Sequence, residues 1–332
     1  MATITDEFAA RIKADHQKER MMKWAPVLVL ILMIAVFSVI VGSAFASPAN
    51  VVAILNQMSI PLIVALGLTF VIMIGSIDLS INGSVGMAGS LTGVFLLNTR
   101  TDFDLGVWGL LLAILCSVVV GASIGLMHVK LKIPSFVVSF AFMNICIGLG
   151  RLSYGGIHPV ITDPIFSEVP RMSFLNIPII AWVAIIVFIF CYYIQEHTPF
   201  GRHVYAVGTD ETIPRAVGIN VGRVKIMVFA LAGLCFGIAG VVGALRLGQG
   251  QVGIGTGLMF PAQAAVVIGG TALSGGKGGV INTLVGVLIM AVLFNGLTMV
   301  GVNPHIRTAI EGVIILVAVI LTVKRGATVI SK

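Results

Sequence analysis

The stretch WAPVLVLILMIAVFSVIVGSAFASPANVVAILNQMSIPLIVALGLTFVIMIGSI, residues 24–77, contains no charged side chain. A helix crosses the hydrocarbon core of a bilayer with about 20 apolar residues, so this stretch is long enough to cross twice. Further charge-poor runs follow at 79–99, 105–127, 133–150, 172–195, 226–245, 247–276, 278–304 and 312–323. The composition agrees with them. Hydrophobic residues make up 58% of the 332 and charged residues 10%, with a mean hydropathy of +1.10. A water-soluble domain carries about 25% charge. A soluble enzyme, a disulfide scaffold and a disordered chain are therefore excluded, and the fold class is an all-α polytopic membrane protein.

The runs predict about ten transmembrane helices, at 26–46, 52–75, 80–98, 105–127, 134–152, 177–194, 226–245, 258–273, 280–300 and 306–323. The third and eighth are short and glycine-rich, and each either spans or re-enters. Lys and Arg concentrate on the cytoplasmic side of membrane proteins. With the N-terminus inside and ten crossings, fifteen of the 20 Lys and Arg fall inside and five outside, which predicts both termini cytoplasmic. The organisation is then a cytoplasmic segment 1–25, a transmembrane domain 26–325 with a cytoplasmic loop at 195–225, and a tail 326–332. The net charge of +7 follows from this topology. The basic residues form no stripe with interleaved aromatics, so no nucleic-acid partner is expected. Ala44-Phe45-Ala46 resembles a signal-peptidase site, but the apolar stretch before it exceeds a signal h-region, and a retained anchor is expected. Thr5 to Lys23 mixes acids and bases and reads as a short solvated or interfacial helix.

Cys116, Cys146, Cys191 and Cys235 all lie in apolar runs without metal or redox spacing and read as small core residues. The stretch GGTALSGGKGG (269–279) invites a phosphate-loop reading. It fails, because GxxxxGK[ST] needs Gly at 271 and Ser or Thr at 278, where Thr271 and Gly278 stand. The pairs Gly89/Gly93, Gly121/Gly125 and Gly233/Gly237 have the spacing that lets membrane helices approach closely, within the chain or between subunits.

Ionisable and polar groups inside the runs are the functional candidates. Asp78, in GSIDLSINGSVG (75–86), reads in two ways. It or Ser80 caps the helix beginning near Ile81, or it is a carboxylate facing a pathway or gate in a broken helix. Glu311 follows Arg307 by four residues, which allows a helical ion pair or a polar lining. Gln57, Asn144, Gln263, Asn282 and Asn295 are interhelical hydrogen-bond formers or pathway contacts. Gln57, Asp78, Ser80, Asn82, Asn295 and Glu311 form the candidate pathway or gate set. The polar, glycine-punctuated segment TPFGRHVYAVGTDETIPRAVGINVGR (198–223) reads as a compact helix-turn unit suited to docking another protein.

That segment resembles the cytoplasmic coupling segment of the monosaccharide class of ABC importer permeases, the ribose, xylose, arabinose and galactose uptake family, through Thr198, Phe200, Gly201, Arg202, Tyr205, Ala206, Gly208, Gly218 and Ile219. The blocks GSIDLSINGSVG, AAVVIGGTALSGGKGG (264–279) and GLTMVGVNPH (296–305) are similar to further blocks of that family. Branched-chain amino acid permeases resemble the chain more distantly. Two places depart: Met259 to Gln263 replaces an acidic stretch, and Asp210 to Pro214 replaces an N-x-x-A-A run. The resemblance implies a pathway-forming subunit of the bacterial inner membrane with no catalytic site or cofactor of its own. ATP would be hydrolysed by a partner ABC ATPase subunit contacted through Gly201, Arg202, Gly208, Asp210, Glu211, Gly218 and Ile219. A second permease (a homodimer mate or a paralogue), a periplasmic substrate-binding protein and membrane lipid complete the partners, and the cargo is a monosaccharide or similar polyol. The alternative from the residues is an ion-coupled secondary transporter of a small polar solute, with Asp78 or Glu311 as proton carrier. An intramembrane enzyme lacks support, because HExxH is absent.

Overall fold

A computed structural model describes residues 24–303, 305–307, 309–310, 312–314 and 316. The expectations for Thr5 to Lys23, for Glu311 and for most of the tenth crossing lie outside these residues. The architecture is helical, with α1 (Trp24–Ala44), α2 (Pro48–Met73), α3 (Ile81–Phe95), α4 (Val107–Leu131), α5 (Ser135–Tyr154), α6 (Ile179–His197), α7 (Pro199–Thr209), α8 (Thr212–Ala216), α9 (Val221–Leu247), α10 (Met259–Ile268) and α11 (Val280–Met299). Seven of them, α1, α2, α4, α5, α6, α9 and α11, are long and apolar enough to cross a membrane. Each matches one of the expected crossings.

Local chemistry sets the boundaries. Ser47 accepts the Asn50 amide at the start of α2, and Pro48 stands at its first turn, where no hydrogen bond is lost. Asn220 accepts the Arg223 amide to open α9, and Gly248 closes that helix in a left-handed conformation. The turn between α4 and α5 is short because Lys132 turns left-handed and Pro134 starts the next helix.

α2 is the axis of the bundle. Every residue from Leu62 to Met73 is buried, packed between α9, α11, α6 and α10. α1 is exposed along nearly its whole length, as expected where lipid is the solvent. The Thr69 and Thr283 hydroxyls lie 2.5 Å apart and the Asn295 side-chain amide donates to Asn50 Oδ1 at 2.9 Å. These buried pairs tie α2 to α11 at two levels.

Glycines determine the other close approaches. A Cβ on Gly121 or Gly125 of α4 would run into Phe229 or Ile226 of α9, and one on Gly233 or Gly237 of α9 into Ser117 or Ile114 of α4. Two of the three GxxxG pairs thus face each other within the chain, in an antiparallel crossing. The pair Gly89 and Gly93 serves a different contact, on α3.

α3, with 15 residues, falls short of a full span. Its flanks are backbone against backbone: Gly83 meets the Met143 carbonyl of α5, Gly240 of α9 meets the Val85 carbonyl, and Gly86 meets the Val252 carbonyl. After Gly248 the chain does not continue as helix. Residues 250–255 run back along α3, from Gly250 at Gly93 to Gly255 at the Asn82 carbonyl, with one short turn at Val252–Gly255. α10 follows and has only ten residues. The expected eighth helix over 258–273 is therefore a short helix, preceded by an irregular stretch with one helical turn and followed by the 269–279 loop. At the far end of α3, residues 159–162 bridge the two sides. The Thr99 amide donates to Val160 O and the Thr162 amide to Leu97 O, while the Ile161 amide donates to Gly248 O and the Gly250 amide to Pro159 O. A short hairpin, β1 (Ser173–Phe174) with β2 (Ile177–Pro178), precedes α6.

Candidate pathway and coupling surface

The pathway candidates do not gather in one place. Asp78 lies in the break between α2 and α3 and is 1% exposed. Its Oδ1 accepts the Ser80 amide at 2.7 Å, and its Oδ2 has no hydrogen-bond partner among the described residues. Half of the carboxylate thus organises the helix start. Ser80 occupies the N-cap position without a capping side-chain bond, so Asp78 takes the local role and Ser80 does not. The break itself is held by α5, where Ser135 Oγ accepts the Ile77 amide and Ser139 Oγ accepts the Leu79 amide. Irregular backbone at this depth needs such partners.

Asn82, in the first turn of α3, accepts the Met259 amide at 3.2 Å and so joins α3 to the start of α10. Gln57 is half-buried on α2. Its neighbour Asn56 has a buried Oδ1 without a partner among the described residues, and the Asn56 carbonyl accepts Arg246 of α9 at 3.2 Å. Asn295 bonds Asn50 through its amide nitrogen, while its Oδ1 has no partner among the described residues. Gln263 Nε2 on α10 is also buried and without a partner among the described residues. Asn144 is exposed and bonds the Phe140 carbonyl of its own helix, and Asn282 donates to Gly269 O. Among the described residues, no cluster of three His, Cys, Asp or Glu could hold a metal. The four cysteines are free thiols, three of them buried.

The coupling candidates do form a unit. Thr198 accepts the Gly201 amide and Pro199 follows, which starts α7 directly after α6. α7 lies on the end of α2. Phe200 stacks on Phe70 with ring centroids 6.5 Å apart, and a Cβ on Gly208 would overlap the Met73 carbonyl. The glycine-rich loop 269–279 wraps the same place. Five of its glycines, 270, 275, 276, 278 and 279, have positive φ, which side chains rarely adopt. The Gly276 amide donates to Met73 O at 2.9 Å. The stretch that mimics a phosphate loop is thus a clamp between α2 and α7.

Gln195, the last apolar-run residue of α6, was not among the sequence candidates. It is 4% exposed. Its Nε2 donates to Glu196 and to the Tyr205 hydroxyl at 2.9 Å, and its Oε1 accepts the Val280 amide at 2.7 Å. The Tyr205 hydroxyl in turn donates to Gly278 O at 2.8 Å. Burial first, and the Glu196 carboxylate second, push the Tyr205 phenol above its ordinary pKa, which keeps that proton in place. Gln195 and Tyr205 thereby join α6, α7, the loop and the first turn of α11.

α8 projects from this base. Asp210 Oδ1 accepts the Thr212 amide and hydroxyl, both at 2.8 Å. Glu211 reaches Arg215 at 3.0 Å and Lys225 at 2.6 Å. Both acids therefore organise the unit itself. Gly218 turns the chain at φ +83 in open space, and Ile219 packs back toward the core. What remains outward is Arg202, Arg215 and the apolar pair Ile213 and Val217, 63% and 71% exposed.

A bundle of long apolar helices, with buried polar groups at broken segments and a small platform at one end, is that of a multi-pass membrane protein. Residues 50–319 match the family described as branched-chain amino acid transport system / permease component, and the chain belongs to that family. It is similar to the ribose import permease protein RbsC of Bacillus subtilis, 34% identical over 80% of this chain and 82% of the relative. It is also similar to RbsC of Haemophilus influenzae, at 33% over 73% and 75%, and to the L-arabinose ABC transporter permease protein AraH of Azospirillum brasilense, at 30% over 74% and 70%. No solved structure matches the chain. The protein is a permease subunit of an ABC importer, a multi-pass protein of the bacterial inner membrane.

Proposed function

We propose that this chain forms the translocation pathway for a monosaccharide or similar polyol and is driven by a separate ABC ATPase that docks on α7 and α8. The observation that carries the reading is the clamp at Met73, where α7 and the glycine-rich loop are fastened together to the end of the central helix. A push on α8 is then transmitted to α2 and α11, because packed elements move as rigid bodies and do not deform smoothly. Fold analogy alone does not assign a cargo. The ribose and arabinose in the relatives' names, with the mainly amide and hydroxyl chemistry of the buried polar set, support a neutral sugar. A second permease chain, identical or paralogous, and a periplasmic binding protein complete the assembly. The transmembrane domain covers 26–325, flanked by the cytoplasmic segments 1–25 and 326–332. In this reading α3, the 249–258 stretch with α10, and the segment 306–323 are the remaining crossings. Together with the fifteen-to-five distribution of Lys and Arg they make ten and leave both termini cytoplasmic.

The test is the exposed face. Ile213→Asp with Val217→Asp places two carboxylates where an apolar contact would be buried, and Arg202→Glu reverses an exposed charge on α7. The aspartate pair is expected to abolish co-purification of the ATPase and ATP-driven uptake at normal membrane abundance. Arg202→Glu is expected to weaken association more at low salt than at high salt. Retention of the ATPase and of uptake by all three changes would make the segment a connector.

A further inference from the structure

We propose that the chain carries a phosphate-headgroup site for an anionic phospholipid, in the cavity between the α4–α5 turn and the start of α9. The cavity measures about 510 Å³, and His128, Lys132, Arg215, Asn220, Gly222 and Lys225 contribute to its wall. Three separate elements supply its cations: the α4–α5 turn gives Lys132, α8 gives Arg215 and α9 gives Lys225. The count is three Lys or Arg against one acid, Glu211, which is shared by Arg215 and Lys225. Among the described residues, no carboxylate pairs with Lys132. The first turn of α9 faces the same space, and a helix start leaves amide hydrogens and a positive dipole end to an anion. The Asn220 side chain takes only the Arg223 amide.

The position of the cavity selects a lipid as the source of the phosphate. Exposed apolar residues adjoin its lining residues along the chain: Leu131 precedes Lys132, Phe136 follows Pro134 by two, and Met227 follows Lys225 by two. These belong to α4, α5 and α9, three helices long and apolar enough to span. The cavity therefore lies at the ends of spanning helices, where the acyl chains of a lipid have an apolar surface to follow and its headgroup meets basic side chains. Arg215 sits on α8, so the bound headgroup would tie the outermost part of the coupling unit to the α4–α5 turn. The site stands on its own cavity and requires neither the assigned cargo nor the ATPase.

The experiment uses the purified full chain in an uncharged detergent, titrated with phosphatidylglycerol, with phosphatidylcholine and with soluble glycerol 3-phosphate, and bound ligand is counted by native mass spectrometry. Lys132→Asn keeps a residue that tolerates the left-handed turn and removes the charge. Arg215→Gln removes the second cation. Arg223→Gln removes an equal charge from a residue outside the cavity wall. Lipid-free melting temperatures of the variants check folding. The expected result is preference for phosphatidylglycerol over phosphatidylcholine, a loss of roughly fivefold in affinity for Lys132→Asn and again for Arg215→Gln, and less than twofold for Arg223→Gln. Equal binding of the two lipids, or an equal loss in the Arg223 variant, overturns the site. Glycerol 3-phosphate binding as tightly as phosphatidylglycerol overturns the lipid assignment. Unchanged phosphatidylglycerol binding by Lys132→Asn and Arg215→Gln also overturns the site.

Discussion

Gly208 of α7 lies so close to the Met73 carbonyl at the end of α2 that a Cβ would overlap that oxygen. Its backbone is ordinary helix, so the glycine is required by contact and not by an unusual φ. Gly208→Val must lift α7 from its seat, at a local cost of about 1–3 kcal/mol. The spanning helices do not depend on that seat. The variant is expected to reach the membrane at normal abundance and to lose ATP-driven uptake, measured together in intact cells. Full uptake would show that the seat at Met73 transmits nothing.

Gly218 presents the opposite case. Nothing stands near its missing side chain, but its φ is +83. Gly218→Val strains the backbone by about 1–2 kcal/mol, whereas Gly218→Asn is tolerated because Asn visits this region. Uptake is expected to fall in the valine variant and to persist in the asparagine variant. Equal uptake in both would remove backbone conformation from the account.

Gln195 satisfies the Val280 amide at the first turn of α11. Gln195→Leu leaves that buried donor without a partner, a loss of about 1–3 kcal/mol. Tyr205→Phe removes only the bond to Gly278 and the one from Gln195, at about 1 kcal/mol. Thermal unfolding of the detergent-purified chain should rank them in that order. A Gln195→Leu protein as stable as the parent would mean that another acceptor replaces the side chain.

Asp78→Asn preserves an oxygen for the Ser80 amide and removes the charge, so the start of α3 should survive. Abundance and most uptake are expected to be retained. A collapse of uptake at normal abundance would give the unpartnered Oδ2 a role in the pathway or gate. Asp78→Leu, which removes the acceptor, is expected to lower abundance.

Much of this arrangement can be read from residue order alone. The charge gaps place the seven long helices because a span must be apolar over about 20 residues. The spacing of Gly121, Gly125, Gly233 and Gly237 announces a tight helix crossing, although it does not say which helices meet. The segment 198–223 is recognisable because a polar, structured stretch is unusual between two spans. Other features depend on contacts between distant positions. Met73, Gly208 and Gly276 meet at one carbonyl, and no periodicity links them. Gln195 escapes notice because a single amide at the end of an apolar run looks like an ordinary solvated helix end. Residues 258–273 are apolar enough to read as one helix. The approach to them is set by the glycine-lined flank of α3, along which residues 250–255 run with one short helical turn at Val252–Gly255.

That flank has a mechanical consequence. Where Gly83, Gly240 and Gly255 press on carbonyl groups, no side chain at the contact has a rotamer to change. The joint therefore has no stepwise way to loosen, and α3 with residues 250–255 behaves as a single keyed block. In the transport reading proposed above, motion would be taken up at the ends of this block, at Ile74 to Ser80 and at the left-handed Gly248, its two hinges.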